Sequence, residues 1–341
     1  MGIRNLQNWI RWYVPHTIES PQWTSFSGKT LGIDILGFLY RAKSQGVYPI
    51  NYVAKLIAAC KRFNIQPIII FDGKAPSEKK VTLSNRTQLR TRSTLQKNTM
   101  LQTMPDECRN ELRYELQKLE LNSTYLTSEE RDQVKQFLYS CGVLSLNASG
   151  EADNTLAYFS RKGWIDGVIS SDFDLLARGV ETLIMPSSDL LHIPGESGWK
   201  QYTLSKLLDH SGLTYEQFVD MCVMMGSDYT ADLKTIPYKT AYWSVKHAGC
   251  IEYTLARYCI DDYTPYKRAK QILMGINDTE ELLMNAKQWE KWHGKHPTIE
   301  IETLYTFAKL YFEQLLSGDC ILNDLTQNAG TMSNNTAAAS A

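Results

Sequence analysis

Gly150-Glu151-Ala152-Asp153, followed at a short interval by Ser170-Ser171-Asp172-Phe173-Asp174, decides how this chain folds. The two stretches hold four carboxylates in two pairs, each pair separated by one residue. Between them, Asn154 to Gly163 reads as a short helix closed by glycine. Trp164 to Ser171 follows, and its Gly167-Val168-Ile169 centre reads as a buried strand. Asp172 and Asp174 therefore fall just past the carboxyl end of a strand. In extended chain, residues two apart project to the same side, so both carboxylates are expected to point at one locus. Glu151 and Asp153 lie at the loop-to-helix junction feeding that strand. In open α/β sheets this edge is where ligands bind.

Four carboxylates at one place repel one another and shift each other's pKa values unless a cation neutralises them. Oxygen-only donors suit hard divalent ions such as magnesium or manganese. Either pair alone is as readily a helix cap or a solvated turn. The rest of the chain decides.

Working outward, Lys29 to Asp34 reads as a strand ending in an acid and running into a helix, and residues 50–63 read as another helix. Gln66 to Phe71 is a second apolar strand, and it ends at Asp72-Gly73. Strand–helix–strand with an acid at each carboxyl end is a parallel-sheet pattern. A buried unpaired acid is costly, so Asp34 needs a reason; Asp72-Gly73 also suits a plain turn. Residues 5–13 read as an amphipathic helix. Residues 76–135 are polar and helix-prone, two or three helices outside the sheet. Between Lys74 and Lys97 they carry seven basic residues against one acid, Glu78. Such a run is either a solvated helix face or an electropositive lid over a polyanion. A helix ending at Gly142, strands near 143–146 and Thr182–Met185, and a helix over Leu204–Asp209 come next. Phe218 to Tyr229 is a buried helix leading into Asp228. Beyond Tyr229 the chain reads as helical to about Leu316, and Thr326–Ala341 as a disordered tail.

Composition excludes less than it permits. The 341 residues are 43% apolar and 21% charged, an ordinary globular balance, and no stretch approaches the roughly 20 apolar residues of a spanning helix. Seven scattered cysteines without a Cys-x-x-Cys pair fit buried thiols in a reducing intracellular compartment rather than zinc or disulfides. The net charge of −1 names no partner by itself.

Taken in order, Met1-Gly2-Ile3, Asp34, Phe71-Asp72-Gly73-Lys74, Gly150-Glu151-Ala152-Asp153, Ser171-Asp172-Phe173-Asp174 and Gly226-Ser227-Asp228-Tyr229 resemble the flap endonuclease/XPG-type 5′ nucleases over residues 1–250. Each motif is weak alone; their order and spacing make the signal. The resemblance implies a PIN-like α/β nuclease domain with a mainly parallel central sheet flanked by helices, a helical arch, and an α-helical C-terminal region. The nuclease core would span 1–229 with its arch at about 76–135, and a helical DNA-binding region 230–325. It implies two magnesium ions, with manganese able to substitute, held by Asp34, Asp72, Glu151, Asp153, Asp172, Asp174 and Asp228. Two ions about 3.5–4 Å apart can clamp a phosphodiester. With seven of the 37 acids serving as ligands, the remaining charge is basic, as suits a DNA binder. Lys79 and Arg86, seven residues apart on one predicted helical face, would meet the scissile phosphate as catalytic cations. Gly2, Tyr40, Arg90, Arg92, Arg178 and Lys239 are the expected DNA contacts, Tyr40 by stacking on a base. Branched or flapped DNA is the implied partner, the chain acting as a monomer without a membrane.

The chain also departs from the pattern. Where the family carries a glycine-containing helix–hairpin–helix, this sequence reads Thr235-Ile236-Pro237-Tyr238-Lys239-Thr240-Ala241. Both glycines are gone and Pro237 can neither donate an amide to a phosphate nor adopt positive φ, so a potassium ion held by hairpin carbonyls is not expected there. Asp153 replaces the usual Glu, and Arg178 stands where an aromatic is common. No sliding-clamp-binding motif is evident near the C-terminus. The resemblance leaves open a 5′–3′ exonuclease or junction resolvase with the same core. An inactive junction-binding scaffold is the alternative outside catalysis, though every ligand position keeps its acid.

Overall fold

The computed structural model describes residues 2–103, 112–188, 191–249 and 251–275. Helix α1 (Leu6–Tyr13) buries Leu6, Trp9 and Ile10 on one face. Strand β1 (Thr30–Asp34) runs into α2 (Leu36–Ser44), and α3 (Pro49–Arg62) returns the chain to β2 (Gln66–Phe71). Two long polar helices, α4 (Lys80–Thr103) and α5 (Arg113–Ser123), then leave the sheet. The chain comes back through α6 (Ser128–Ser140), β3 (Leu144–Asn147), α7 (Ala152–Arg161) and β4 (Gly167–Ile169). A single turn, α8 (Asp174–Ala177), precedes β5 (Thr182–Pro186), β6 (Trp199–Thr203), α9 (Leu204–Ser211) and α10 (Tyr215–Met225). Three further helices, α11 (Tyr238–Ala248), α12 (Ile251–Arg257) and α13 (Thr264–Met274), close the described part.

The six strands form one sheet in the order β3-β2-β1-β4-β5-β6. All pairings are parallel except β5 with β6, so the sheet is mainly parallel as expected. Strand β6 was not legible: Trp199-Lys-Gln-Tyr-Thr203 is too polar for an apolar run and covers an edge rather than a core position. Period-two alternation divides the core. Leu31, Ile33, Ile69, Phe71, Ile169 and Ile184 enter one buried cluster, whereas Ile68, Ile70, Val168 and Leu183 enter the other. At Gly32 any Cβ would collide with Leu156 and lie 2.8 Å from Ile165 Cδ1, so the missing side chain lets α7 lie close on the sheet.

The order places β1 and β4 side by side, Ile33 opposite Ile169, while the chain winds outward from β1 in one direction and from β4 in the other. That is a topological switch point, and the crevice at its carboxyl edge is where ligands bind in such sheets. Ala241, Val245 and Leu273 share one buried cluster with Trp9 and Val168, so no gap in packing falls at residue 229. The remainder of the expected 230–325 region, and the 326–341 tail, lie outside the described residues, as does the 104–111 stretch of the arch. Among the described residues no helix is long and apolar enough to cross a membrane.

Candidate functional site

Five chain segments deliver acids to the carboxyl edge. Asp34 is the last residue of β1, and the Ser170 hydroxyl at the end of β4 donates to its Oδ2 at 2.9 Å. Asp72 follows β2 directly and accepts the Ala152 amide at 2.7 Å, which ties it to the N-terminus of α7. Glu151 caps that helix and Asp153 lies in its first turn. Asp172 and Asp174 follow β4, but not as extended chain. Asp174 opens α8, and its amide donates to Asp172 Oδ1 at 3.0 Å. A side-chain-closed turn, not strand periodicity, gathers that pair. Asp228 enters from the loop after α10.

The seven acids divide into two sets by what surrounds them. Burial pushes Asp34 up to about 7, with the nearby Asp72 and Asp172 adding to it against the Ser170 hydrogen bond. Desolvation likewise raises Asp153, with Asp34 and Asp172 beside it, and Asp174, with Asp172 and Asp228 beside it. Asp172 is raised by desolvation too, and so is Asp72, although its side chain keeps an opening to solvent. Asp174 is 1% exposed, and its Oδ1 has no hydrogen-bond partner.

Glu151 and Asp228 form the other set, held by cations of the chain itself. Lys79 Nζ lies 2.5 Å from Glu151 Oε1 and 3.5 Å from Asp228 Oδ2, and Arg86 pairs with the same Asp228 oxygen. Arg178 Nη2 reaches Glu151 Oε2 at 3.2 Å. Burial alone would raise Glu151, but Arg178 and Lys79 outweigh it and hold the carboxyl below its ordinary value. Burial would lower Lys79; the Glu151 carboxylate and then Asp228 hold it above its ordinary value instead. Lys79 lies in the tight turn before α4 and not on the helix expected to carry it with Arg86, yet both reach Asp228 Oδ2.

The remaining expected residues scatter. Gly2 is buried with φ of +98°, and a methyl there would collide with Asp172 Oδ1 and lie 2.7 Å from Asp174 Oδ1. It forms the lip of the acidic cluster. Tyr40, on α2, is half-buried against the core. On α4, Arg92 is exposed and Arg90 lies over the Tyr125 ring at 5.3 Å. Lys239 opens α11, its ammonium 4.8 Å over the exposed Trp12 ring, in a cleft of about 800 Å³ with Trp243 and Arg257. Arg178 overturns its expectation. Its side chain is 1% exposed and turned inward onto Glu151, Asn154 and Tyr229, so it is not a surface contact for DNA. The sequence reading missed Asn154, Tyr229 and Thr82, whose hydroxyl bonds the Asp228 carbonyl. It also missed Arg4, Arg11 and Arg41, which line a cleft of about 510 Å³ reaching Ser171 beside Gly2. Only the 7-residue spacing of Arg4 and Arg11 hinted at a shared face.

The donor chemistry fits hard divalent ions: clustered carboxylates, one with an orphaned buried oxygen, and Asp34, Asp72, Asp153, Asp172 and Asp174 raised by burial. Among the described residues no three acidic, histidine or cysteine side chains close around one point as a metal cage would. Two of the seven, Glu151 and Asp228, are engaged in ion pairs with Lys79, Arg86 and Arg178.

Comparison with known proteins agrees with this geometry. The XPG N-terminal domain model matches residues 1–93 and the XPG I-region model residues 142–228, together more than half of the chain. The chain is 26% identical over 322 residues to flap endonuclease 1 of Brugia malayi, covering 88% of this chain and 80% of that protein. It is 26% identical over 315 residues to flap endonuclease 1 of Glycine max, with 83% and 78% covered. Among solved structures, the catalytic core of Rad2 in complex with DNA substrate superposes with a TM-score of 0.56 at 18% identity, covering 84% of this chain and 81% of that one. Flap endonuclease-1 from Methanococcus jannaschii gives 0.54 at 18% identity, with 88% and 97% covered. Both share the fold described above. With both XPG regions matched in order, and their acids gathered at one sheet edge, this chain belongs to the XPG-type flap endonuclease family of nucleases.

Proposed function

We propose that the chain is a structure-specific 5′ flap endonuclease that hydrolyses DNA phosphodiesters near a single-strand/double-strand junction with two magnesium ions. The observation that carries this is the convergence of seven acids from five segments, with Lys79 and Arg86 of the arch base on their rim. Asp34, Asp72, Asp153, Asp172 and Asp174 would hold the ions, with Glu151 and Asp228 joining as their cations turn away. Divalent ions bound there supply Lewis acidity toward the phosphodiester and its attacking water.

The chain's own residues do the rest. Lys79 and Arg86 can exchange their carboxylate partners for the oxygens of the scissile phosphate, where they meet the charge that develops during cleavage. Gly2 keeps the approach to Asp172 and Asp174 narrow. The basic, acid-poor α4 presents Arg90 and Arg92 to a passing 5′ strand, while Arg4, Arg11 and Arg41 give the neighbouring cleft a polyanion-binding wall. The chain would act as a monomer on branched DNA. The free cysteines at 60, 141, 222 and 259 support a reducing compartment.

The test is cleavage of a 5′-end-labelled double-flap DNA in magnesium, beside calcium, a blunt duplex and the Asp172→Ala variant. One short product near the junction, lost in calcium and in the variant, is expected. Mononucleotides from both substrates would replace this reading with an exonuclease. Tight binding without product in magnesium or manganese would replace it with a scaffold.

A further inference from the structure

We propose that Arg178 is a positioning residue that fixes the Glu151 carboxylate from inside the protein. Its guanidinium uses both terminal nitrogens. Nη2 donates to Glu151 Oε2 at 3.2 Å and to the Tyr229 hydroxyl. Nη1 donates to the Asn154 side-chain oxygen and to the Ile272 carbonyl, the latter at 3.3 Å. The Tyr229 hydroxyl in turn donates to Glu151 Oε2. One planar cation thus joins the start of α7, the loop after α10 and the last turn of α13.

The guanidinium is itself held. Arg178 closes the turn that Asp174 opens, its amide bonding the Asp174 carbonyl at 2.9 Å. Its own carbonyl accepts from Arg161 Nη1 at 2.5 Å, and the Tyr215 hydroxyl donates to the neighbouring Ala177 carbonyl at 2.8 Å. The acids Asp172 and Asp174 and the guanidinium are therefore carried on one braced turn, and their spacing to Glu151 is set by that turn. A buried cation costs desolvation that only well-placed partners offset; the two terminal nitrogens reach four partners while the buried Nε has none, and a guanidinium fork, not an ammonium, can span them. Lys79 holds the other Glu151 oxygen from the solvent side and can leave with the substrate. Arg178, 1% exposed, stays. Glu151 thus keeps its orientation when Lys79 turns to a phosphate.

The test uses the full chain with Arg178→Lys and Arg178→Gln. Three readouts are taken: binding of manganese alone by calorimetry, melting temperature in EDTA, and single-turnover cleavage at saturating flap DNA with DNA affinity measured separately. Removing a group that orients a metal-binding carboxylate typically costs about 10- to 100-fold in metal affinity or activity. We expect Arg178→Lys to melt cooperatively in EDTA, bind manganese about tenfold more weakly, cleave at least about tenfold more slowly and bind DNA as before. Unchanged manganese affinity and rate in the folded variant would overturn the proposal and leave Arg178 a packing residue. Should neither variant fold, Tyr229→Phe removes only the hydroxyl that Glu151 and Arg178 share. Weaker manganese binding there supports the proposal and unchanged binding overturns it. The rate readout rests on the flap-nuclease reading, but the manganese readout does not. A parent that binds manganese and cuts no DNA sinks that reading alone, whereas an active parent matched by Arg178→Lys sinks this one alone.

Discussion

The Thr82 hydroxyl donates to the Asp228 carbonyl at 2.7 Å across 146 residues of sequence, and it buckles the base of α4 to the loop carrying one of the clustered acids. Arg86, one turn further along α4, pairs with the carboxylate of the same aspartate. The first turns of α4 are thus fastened to the site, while Lys97 further along pairs with Glu120 of α5 at 2.9 Å. Thr82→Val keeps the shape and deletes the donor, at a cost of about 1 kcal/mol. Hydrogen exchange at the α4 base should quicken, and single-turnover cleavage should slow by a few-fold with melting temperature little changed. Unchanged exchange across residues 80–88 would show that the ion pairs alone fasten the arch.

Lys79→Ala should slow single-turnover cleavage by roughly 10²–10³-fold while shifting flap-DNA affinity far less. A loss confined to affinity would make Lys79 a positioning contact for the backbone.

The raised aspartates make an ion-free protein sensitive to alkali. Asp34 moves from its ordinary 3.8 to about 7, so between those values the folded chain keeps a proton that the unfolded chain has released. Stability is therefore greatest at the acid end of that window and falls as pH rises through about 7. Asp153, Asp172 and Asp174 shift in the same direction and add to the fall. The lowered Glu151 works oppositely, its contribution fading only as pH drops through its folded value. Melting temperature in EDTA should decline from about pH 5 to about pH 8, and manganese should flatten the decline. Asp34→Asn should flatten it without metal; a steep decline in that variant would assign the effect to other groups.

Much of this was legible because acids at the ends of apolar strands are conspicuous. Asp34 and Asp72 mark the carboxyl ends of β1 and β2, and Gly167-Val168-Ile169 reads unambiguously as buried β4. Edge strand β6 was not legible, since only Trp199 and Tyr202 of its five residues are buried, one on each face, and Lys200, Gln201 and Thr203 interrupt any apolar run. Arg178 misled for a related reason. A guanidinium in a DNA-binding chain is expected outside, and nothing local reveals that Asn154, Tyr229 and Ile272, distant in sequence, supply it with partners. The Asp172–Asp174 turn was misread as extended chain because spacing by two suits both a strand face and a side-chain-closed turn.

Gly2→Ala should test how tightly the lip fits. The substitution needs a positive φ and puts a methyl into Asp172 Oδ1, a strain of about 1–3 kcal/mol. Displacing the aspartate by about 1 Å should lower cleavage up to about a hundredfold. Normal activity with a normal melting temperature would show that the N-terminal segment moves aside freely.

Pro237 caps α11 in extended conformation where the resemblance has glycine-rich chain. Replacing sodium by potassium at equal ionic strength should change flap-DNA affinity by less than about twofold, since Pro237, fixed at negative φ, cannot make the glycine turn that aims carbonyls at a cation. A clear potassium preference in binding would restore such a site.

The orphaned Oδ1 of Asp174 has a consequence for how such a chain drifts over generations. Asp34, Asp72, Asp153, Asp172 and Asp174 are acids the fold would hold more easily as amides, so stability and cutting pull in opposite directions at these positions. A lineage released from the need to cut would gain robustness with each acid it shed. A chain that carries all five together holds a site that bound cations, and not the fold, would settle.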